Sequence, residues 1–338
     1  MAFSSTVGQY EIKKRLGTAL MGSPGHAYIF SGPKGIGRTT LARSFAKALL
    51  CDQPSLEGSC DHCASCHYFD RLVHPDYREL QLDGKDKFIK VERVRQAVCA
   101  DLNIRPQLRP RKVYLIGADD LNEQGQNALL KSLEEPPDYA FFLLTAIGQN
   151  HLLPTIVSRT SLILLKRHAP DEIEEILRQK GLSGTDELTF CARYAGGLPG
   201  VALDLATSDW FSSLRQDTVS FYRSLGRSTR TAVLTGGYQF FDGNRPHVPE
   251  ILDILGSLVR DQLVALYTAD RRLLTNPDQN TLLYRFPAGT PDPGEARSRL
   301  TRAFDALLAV RRGLALNASF EGMICNLLLV LRKELSYA

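Results

Sequence analysis

The sequence has no run of about eighteen apolar residues, which is the length that a membrane-spanning helix requires. Its opening segment, MAFSSTVGQYEIKK, lacks the apolar stretch of a signal peptide. A large excess of charge of one sign is missing too, because 41 Lys and Arg face 37 Asp and Glu, for a net charge of +4. So small an excess does not by itself indicate a nucleic-acid partner. These absences predict a globular protein of the cytoplasm.

The chain has 338 residues, enough for two or three domains. Apolar segments alternate with helical patterns up to about residue 166, and five of them are predicted strands: 27–31, 77–82, 112–116, 141–145 and 161–166. This alternation is typical of a doubly wound α/β domain with a parallel sheet. Beyond it the apolar period is helical, with a break near Ser208. The sequence therefore predicts an α/β domain at 1–166, a small helical domain at 167–208 and an all-helical domain at 209–338.

A glycine-rich turn follows the first predicted strand and precedes a helix. Gly32, Gly37 and Thr39 fill three of the four fixed positions of the phosphate-loop pattern G-x-x-x-x-G-K-[ST], and Gly35 lies inside the turn. The fourth position, which requires lysine, holds Arg38. A guanidinium keeps the positive charge but is a broad planar group, so it does not replace lysine in a tight phosphate cradle. These five residues form a degenerate candidate site for nucleotide, and ATP or ADP binding to it is doubtful.

Four cysteines lie within sixteen residues, at Cys51, Cys60, Cys63 and Cys66. In a reducing compartment this spacing favours a metal over disulfides. Four thiolates complete the tetrahedral coordination of Zn²⁺ and leave no open position, so we expect a structural zinc site. Two alternatives stay open: a redox cluster or free thiols, and a site in which His62 or His67 replaces one of the cysteines.

Four motifs together resemble the AAA+ subunits of the bacterial clamp loader, over residues 1 to about 165. They are the strand, phosphate loop, helix and four-cysteine segment from His26 to Cys66, HPD at 74–76, NALLKSLEEPP at 127–137 and LLPTIVSRT at 152–160. The resemblance implies a P-loop AAA+ domain with an inserted zinc knuckle. It also implies that a small helical lid domain and an all-helical collar domain follow.

In the ATP-hydrolysing members of this family, the resemblance implies adjacent acidic residues after the third strand, which hold Mg²⁺ and orient the attacking water. Here the strand is followed by Gly117-Ala118-Asp119-Asp120, so the acidic pair directly after the strand is missing. We align Asp119 with the fourth position of that motif and interpret Asp120 as a surface or helix-capping carboxylate. The alternative, in which Asp119 replaces the metal-binding carboxylate, stays open.

Two further positions differ from the hydrolysing members. Ala146 stands where the resemblance implies a polar residue at the end of the fourth strand, and Thr145 beside it is the alternative. Pro199 stands where the resemblance implies an arginine that contacts the γ-phosphate. Positioned charge supplies nearly all the catalysis in phosphoryl transfer, so these changes and Arg38 predict a subunit without hydrolysis of its own.

One catalytic feature of the family is retained at Ser158 and Arg159. The resemblance implies that this arginine lies at the subunit surface and enters the ATP site of a neighbouring subunit, as an arginine finger supplied in trans. The alternative is that Arg159 forms an ion pair with a local carboxylate, Glu134 or Glu135.

The sequence thus predicts a nucleotide-hydrolysis-deficient subunit of the DNA polymerase III clamp loader, which helps load the sliding clamp on primed DNA during replication. The expected partners are gamma/tau and delta subunits in a five-membered ring, the sliding clamp, and primer–template DNA through the complex. The chain would be part of a DNA-directed DNA polymerase without an ATPase activity of its own. The first alternative is a gamma/tau-like ATPase, and the second is a zinc protein whose knuckle binds nucleic acid.

Overall fold

The structure is a computed structural model that describes residue 3 and residues 6–82, 86–108, 110–182, 186–279, 282, 292–316 and 318–336. It divides into two compact units. The first comprises Met1–Lys180 and Gly196–Val201, and the second comprises Gly181–Ala195 and Ala202–Ala338. The division of the sequence into three domains stays a prediction.

A five-stranded parallel sheet forms the centre of the first unit. Its strands are β1 (Ala27–Ser31), β2 (Tyr77–Leu80), β3 (Lys112–Gly117), β4 (Ala140–Ala146) and β5 (Ser161–Leu164). Their order in the sheet is β2-β3-β4-β1-β5, and every neighbouring pair is parallel. The predicted doubly wound α/β fold is therefore confirmed. Because all strands run in one direction, the turns that follow β1, β3 and β4 meet at one edge of the sheet.

Helices cover both faces of this sheet and leave two apolar cores, one on each side. They are α1 (Tyr10–Met21), α2 (Arg38–Leu50), α3 (Ala64–Asp70), α4 (Val91–Val94), α5 (Glu123–Glu134) and α6 (Pro154–Val157), and α7 (Pro170–Gln179) follows them in the same unit. Helix α2 is the most deeply buried, since Ala42, Phe45 and Ala46 are each fully buried against β1, β3 and β4.

One predicted helix of the first unit changes its helical type along its length. The pattern from Ile89 to Leu102 predicts an amphipathic helix, and the structure is helical over residues 91–103, as α4, a π-helical turn at Arg95–Ala100 and a 3₁₀ turn at Asp101–Asn103. The altered path brings the carboxylate of Asp101 to 2.8 Å from the Lys112 ammonium. A buried lysine needs such a partner, and periodicity along one helix carries no information about it.

The second unit is helical. Its helices are α8 (Asp186–Tyr194), α10 (Asp209–Leu225), α11 (Arg230–Ala232), α12 (Tyr238–Gly243), α13 (Val248–Ala265), α14 (Pro293–Ala315) and α15 (Phe320–Glu334), and α9 (Pro199–Ala206) crosses the boundary between the two ranges. The apolar stripe of α15 lies in this unit's own core, where Ile324, Leu327, Leu328 and Leu331 are fully buried. Of the predicted loop from Thr275 to Pro293, residues 280–281 and 283–291 lie outside the described residues.

Short turns of 3₁₀ or π helix complete the described secondary structure, at Ala118–Asp120, Gln149–His151, Val233–Gly237, Arg245–His247, Arg271–Leu273 and Pro277–Gln279. Among the described helices, none combines the length and apolar character needed to cross a membrane.

Candidate functional site

The predicted phosphate loop lies between β1 and α2, at the sheet edge where the strands end. Gly35 has φ 83° and Gly37, the N-cap of α2, has φ 100°. Both angles lie in the left-handed region that side chains disfavour, so glycine is required at these two positions. The backbone turn that the sequence predicts is therefore present, with Arg38 and Thr39 as the first residues of the following helix.

Arg38 is engaged inside the protein. Its Nη1 donates to Oδ2 of Asp119 over 2.8 Å, and the side chains of the pair are only 15% and 22% exposed. Asp119 also accepts the backbone N–H of Ile147, over 2.8 and 3.0 Å to its two oxygens. The structure thus brings Asp119 to the phosphate loop, but its carboxylate neutralises the arginine of that loop.

The neighbouring carboxylate of Asp120 does not join this pair. A β-carbon placed on Gly117 would lie 2.5 Å from Oδ2 of Asp120, so that side chain folds back over the end of β3. Glycine at 117 leaves the space that this conformation needs. Sequence reasoning assigned Asp120 to the surface or to a helix cap and did not anticipate its packing over Gly117.

The turn at Gly35 is covered by residues 196–201 of the same unit. The N–H of Gly200 donates to the carbonyl of Gly35 over 2.8 Å. A β-carbon on Gly200 would lie 2.8 Å from Cα of Gly35, closer than packed atoms allow, so the two backbones touch. Pro199, at the position where the resemblance implies an arginine, is the first residue of α9. The covering segment therefore meets the loop with backbone and the side chain of Val201.

At the end of β4 the two candidate positions for a polar residue are both buried. Ala146 is fully buried and pairs with Ser31, while Thr145 is 8% exposed and pairs with Phe30 and Gly117. The methyl group of Ala146 supplies no hydrogen-bond donor or acceptor at the strand end.

The four clustered cysteines lie close enough to share one metal ion. Their Sγ atoms all lie within 4.8 Å of one another, and Cys51 and Cys63 are 4.0 Å apart. Four sulfurs at about 2.3 Å from a tetrahedral Zn²⁺ lie about 3.8 Å from each other. The donor set and its spacing therefore fit a zinc ion with four thiolate ligands, while His62 directs its Nδ1 to the carbonyl of Cys60.

Backbone N–H groups of the knuckle point at the sulfurs, as they do when the sulfurs carry negative charge. Cys60 N lies 3.2 Å and Gln53 N 3.4 Å from the Sγ of Cys51, and Cys66 N lies 3.4 Å from the Sγ of Cys63. Burial alone would raise the pKa of Cys60, but hydrogen bonds from the N–H groups of His62 and Cys63 lower this pKa to about 6. The thiolate form that a metal requires is thus favoured at Cys60, whereas burial raises the pKa of Cys51 and of Cys66.

The knuckle is tied to the phosphate-loop helix through Lys47. This lysine of α2 is 2% exposed and forms ion pairs with Asp61 at 2.7 Å and Asp70 at 2.8 Å. Sequence reasoning did not identify it, although a lysine on the apolar face of a helix was an available signal.

The HPD motif braces the segment between the knuckle and β2. The ring of His74 contacts the Ser65 hydroxyl over 2.8 Å and accepts the N–H of Asp76 over 3.1 Å. The buried carboxylate of Asp76 accepts the N–H groups of Gln107 and Leu108 over 2.7 and 2.8 Å. Burial lowers the pKa of His74, so the ring is neutral at pH 7. These contacts give the motif a structural role.

Arg159 lies just after α6, with its side chain 36% exposed. Its Nη2 is 2.8 Å from Oε1 of Glu134, and its Nη1 donates to the carbonyl of Thr155 over 2.9 Å and to the hydroxyl of Ser158 over 3.2 Å. The local ion pair that the sequence left open is therefore formed, with Glu134 as the partner. Both members remain at the surface, since Glu134 is 45% exposed.

A buried glutamine fixes the two elements that carry this pair. Gln126 of α5 is 5% exposed; its Nε2 donates to the carbonyl of His151 over 3.0 Å, and its Oε1 accepts the N–H of Leu153 over 2.8 Å. Helix α5 ends at Glu134, and α6 begins directly after Leu153. The backbone positions of the carboxylate and of the arginine are thereby set relative to each other.

Comparison with known proteins shows which proteins this chain resembles. Residues 8–169 match the family described as DNA polymerase III, delta subunit. The DNA polymerase III subunit delta' of Pseudomonas aeruginosa is 40% identical over 178 residues, which cover 48% of this chain and 54% of that protein. The corresponding subunit of Bacillus subtilis is 26% identical over 318 residues, covering 91% of each chain.

A relative with a different subunit name also matches, over a shorter share of its length. The DNA polymerase III subunit tau of Bacillus subtilis is 36% identical over 168 residues, which cover 49% of this chain and 29% of that protein. The chain thus spans about half the length of the Pseudomonas aeruginosa relative and under a third of the tau subunit, whereas it aligns with nearly all of the Bacillus subtilis delta'. Together these matches show that the chain is similar to DNA polymerase III delta-prime subunits.

Proposed function

We propose that this chain is a clamp-loader subunit that does not hydrolyse ATP and that completes the ATP site of a neighbouring gamma/tau-type subunit with Arg159. In this role it forms a five-membered ring with gamma/tau and delta subunits. The ring opens the sliding clamp and loads it on primed DNA during replication. The subunit is then a rigid member of the polymerase III assembly and not its motor.

The ion pair between Arg38 and Asp119 carries this proposal. A phosphate loop needs a free cation for the β- and γ-phosphates and a free carboxylate for Mg²⁺ and its water. Here the cation and the nearest carboxylate are bound to each other. The contact of Gly200 with Gly35 adds a second obstacle, because protein backbone occupies the outer side of the loop.

The exposure of Arg159 supports the second half of the proposal. An arginine finger must leave its own surface and enter a neighbour's site, where it stabilises charge that develops in the transition state. Arg159 presents its guanidinium at the surface, on a segment whose backbone is fixed by buried contacts of Ile156 and Gln126. A fixed backbone and an exposed head group are what such a finger requires.

We further propose that the metal of the four-cysteine site is zinc, held by Cys51, Cys60, Cys63 and Cys66. The ion would supply cross-linking of the knuckle and no catalysis, because four protein ligands leave no position for water or substrate. The ion pairs of Lys47 with Asp61 and Asp70 would connect the metal-stabilised knuckle to α2.

The test reconstitutes the full chain with its gamma/tau-type partner and measures ATP turnover. We expect the chain to stimulate the partner, Arg159→Ala to abolish the stimulation, and Arg178→Ala to leave it unchanged. Arg178 is a matched control, since it is an exposed arginine of the same unit paired with a nearby glutamate, Glu175. Stimulation that survives Arg159→Ala would contradict the proposal.

The isolated chain distinguishes this function from that of an ATPase. We expect no ATP hydrolysis by the chain alone and no saturable ATP binding in a calorimetric titration with Mg²⁺. Turnover at the rate of the purified partner would instead favour the gamma/tau-like alternative.

A further inference from the structure

The ion pair between Arg159 and Glu134 joins two separate elements of the first unit. Glu134 lies 25 residues before Arg159 in the chain, on a different helix, so the pair is not a by-product of helical spacing. The structure assigns Glu134 as a positioning residue that holds the guanidinium of Arg159 in one orientation. This inference rests on the proposed function, in which Arg159 acts on a neighbour's ATP.

The three acceptors around Arg159 bind one side of the guanidinium. Thr155 and Ser158 bind Nη1 and come from the same short segment as the arginine, whereas Glu134 binds Nη2 and comes from the end of α5. Contacts to Nη1 alone leave the planar group free to rotate about that nitrogen. The contact at Nη2 removes this freedom, because the group is then held at two points by two separate elements.

The remaining donors stay available for a ligand. Among the residues that the structure describes, no acceptor lies within hydrogen-bond distance of the Nε–H of Arg159, and Nη2 retains a second N–H. These two donors lie on one edge of the guanidinium and match two oxygens of a phosphate. Glu134 therefore contacts the guanidinium at Nη2 and leaves the Nε–H for a ligand.

The backbone of Glu134 is suited to this role. Leu133, the residue before it, is fully buried, and the proline pair 136–137 follows the helix end. The C-terminal end of α5 also carries partial negative charge, which adds to the attraction for a guanidinium. Arginine loses side-chain conformational entropy when it is ordered. Ordering it before a partner arrives removes that cost from the catalytic step.

The test uses the reconstituted complex and the ATP turnover of its gamma/tau-type partner. We expect Glu134→Gln to lower the stimulated kcat by about 2- to 5-fold, the size expected of one exposed ion pair. The KM for ATP should stay unchanged, because the guanidinium acts on transition-state charge and not on ground-state binding. Glu135→Gln is the matched control, since Glu135 is the adjacent exposed carboxylate, and it should leave both parameters unchanged.

A double variant separates positioning from a general structural effect. If Glu134 acts by orienting the guanidinium of Arg159, adding Glu134→Gln to Arg159→Lys, a variant that retains residual stimulation, should cause no further loss. An added loss of the same 2- to 5-fold would show that Glu134 acts elsewhere and would overturn the inference. So would an increase in stimulated kcat for Glu134→Gln, which would mean that the carboxylate restrains the finger.

The outcomes also distinguish the inference from the proposed function. If Arg159→Ala leaves the stimulation intact, the proposed function itself fails. If Arg159→Ala abolishes the stimulation while Glu134→Gln matches the unmodified protein, only the positioning role fails.

Discussion

The first unit contains two arginine–carboxylate pairs with the same 2.8 Å contact and different surroundings. Arg38 and Asp119 lie inside the phosphate loop, at 15% and 22% exposure, with a backbone N–H also bound to the carboxylate. Arg159 and Glu134 lie at the surface, at 36% and 45% exposure. In the proposed function, the buried pair closes the phosphate loop, whereas the exposed pair prepares Arg159 for another protein. Exposure and neighbours, not residue type, therefore separate a cation that is used internally from one that can be offered.

The largest difference between the two pairs is expected when each arginine is exchanged for lysine. Arg159→Lys keeps the charge but loses the planar fork, so we expect the stimulated turnover of the gamma/tau-type partner to fall about 100-fold, part of the about 10³ or more that such fingers supply. Arg38→Lys should leave the stimulation unchanged within about twofold, because this side chain faces Asp119. Steady-state ATPase kinetics measure both. Equal losses of stimulated turnover in the two variants would show that the two arginines do not differ in function.

A second test uses the four-cysteine knuckle, which is joined through Lys47 to α2, the helix that carries Arg38. Cys60→Ser should lower the free energy of unfolding by about 3 kcal/mol or more through loss of the metal. Since Lys47 lies on the same helix as Arg38 and binds Asp61 and Asp70, amide hydrogen exchange should accelerate in α2 and much less in α6. Cys325→Ser, at a lone cysteine of the second unit, is the control. Uniform acceleration across the first unit would contradict the expected pattern.

The third test compares the contribution of each pair to folding. Arg38→Ala should lower the free energy of unfolding by about 2 kcal/mol, because it leaves a partly buried carboxylate without its cation. Arg159→Ala should lower it by no more than about 1 kcal/mol, as for most surface pairs. Urea denaturation followed by circular dichroism measures the two shifts. A larger loss for Arg159→Ala would show that its pair is structural.

The smallest expected effect is the response to salt. At 1 M NaCl the screening length falls to about 3 Å, so exposed pairs weaken more than partly buried ones. The coupling energy of Arg159 and Glu134 in a double-mutant cycle, about 0.5 kcal/mol at low salt, should then approach zero. The coupling energy of Arg38 and Asp119 should change less. An equal salt response of both pairs would mean that their difference in exposure has no electrostatic consequence.

Much of this organisation could be predicted from local patterns. The alternation of apolar strands and helices predicts the parallel sheet, and the structure confirms it. The spacing of the four cysteines predicts their convergence, and their Sγ atoms do meet within 4.8 Å. The helix predicted over 89–102 is present over residues 91–103, but the sequence did not indicate its π and 3₁₀ turns or the contact of Asp101 with Lys112, because that lysine lies on a later strand.

The sequence limited the choice of carboxylate partner for Arg159 but did not identify a partner for Arg38. For Arg159 the sequence left Glu134 and Glu135 as alternatives, since both lie in one motif, and the end of α5 decides between them. For Arg38 no partner was foreseen. Its carboxylate partner, Asp119, lies 81 residues further along the chain, in the turn that follows β3, and β3 is two positions away from β1 in the sheet.

The sequence by itself determined the parallel α/β fold, the glycine turn, the cysteine cluster and the arginine after α6, because each depends on residues that are close together along the chain. Only the tertiary structure decided that Arg38 is bound and covered while Arg159 is held at the surface. Those outcomes depend on which strand ends and helix ends meet, and on how much solvent reaches them, which no local pattern records.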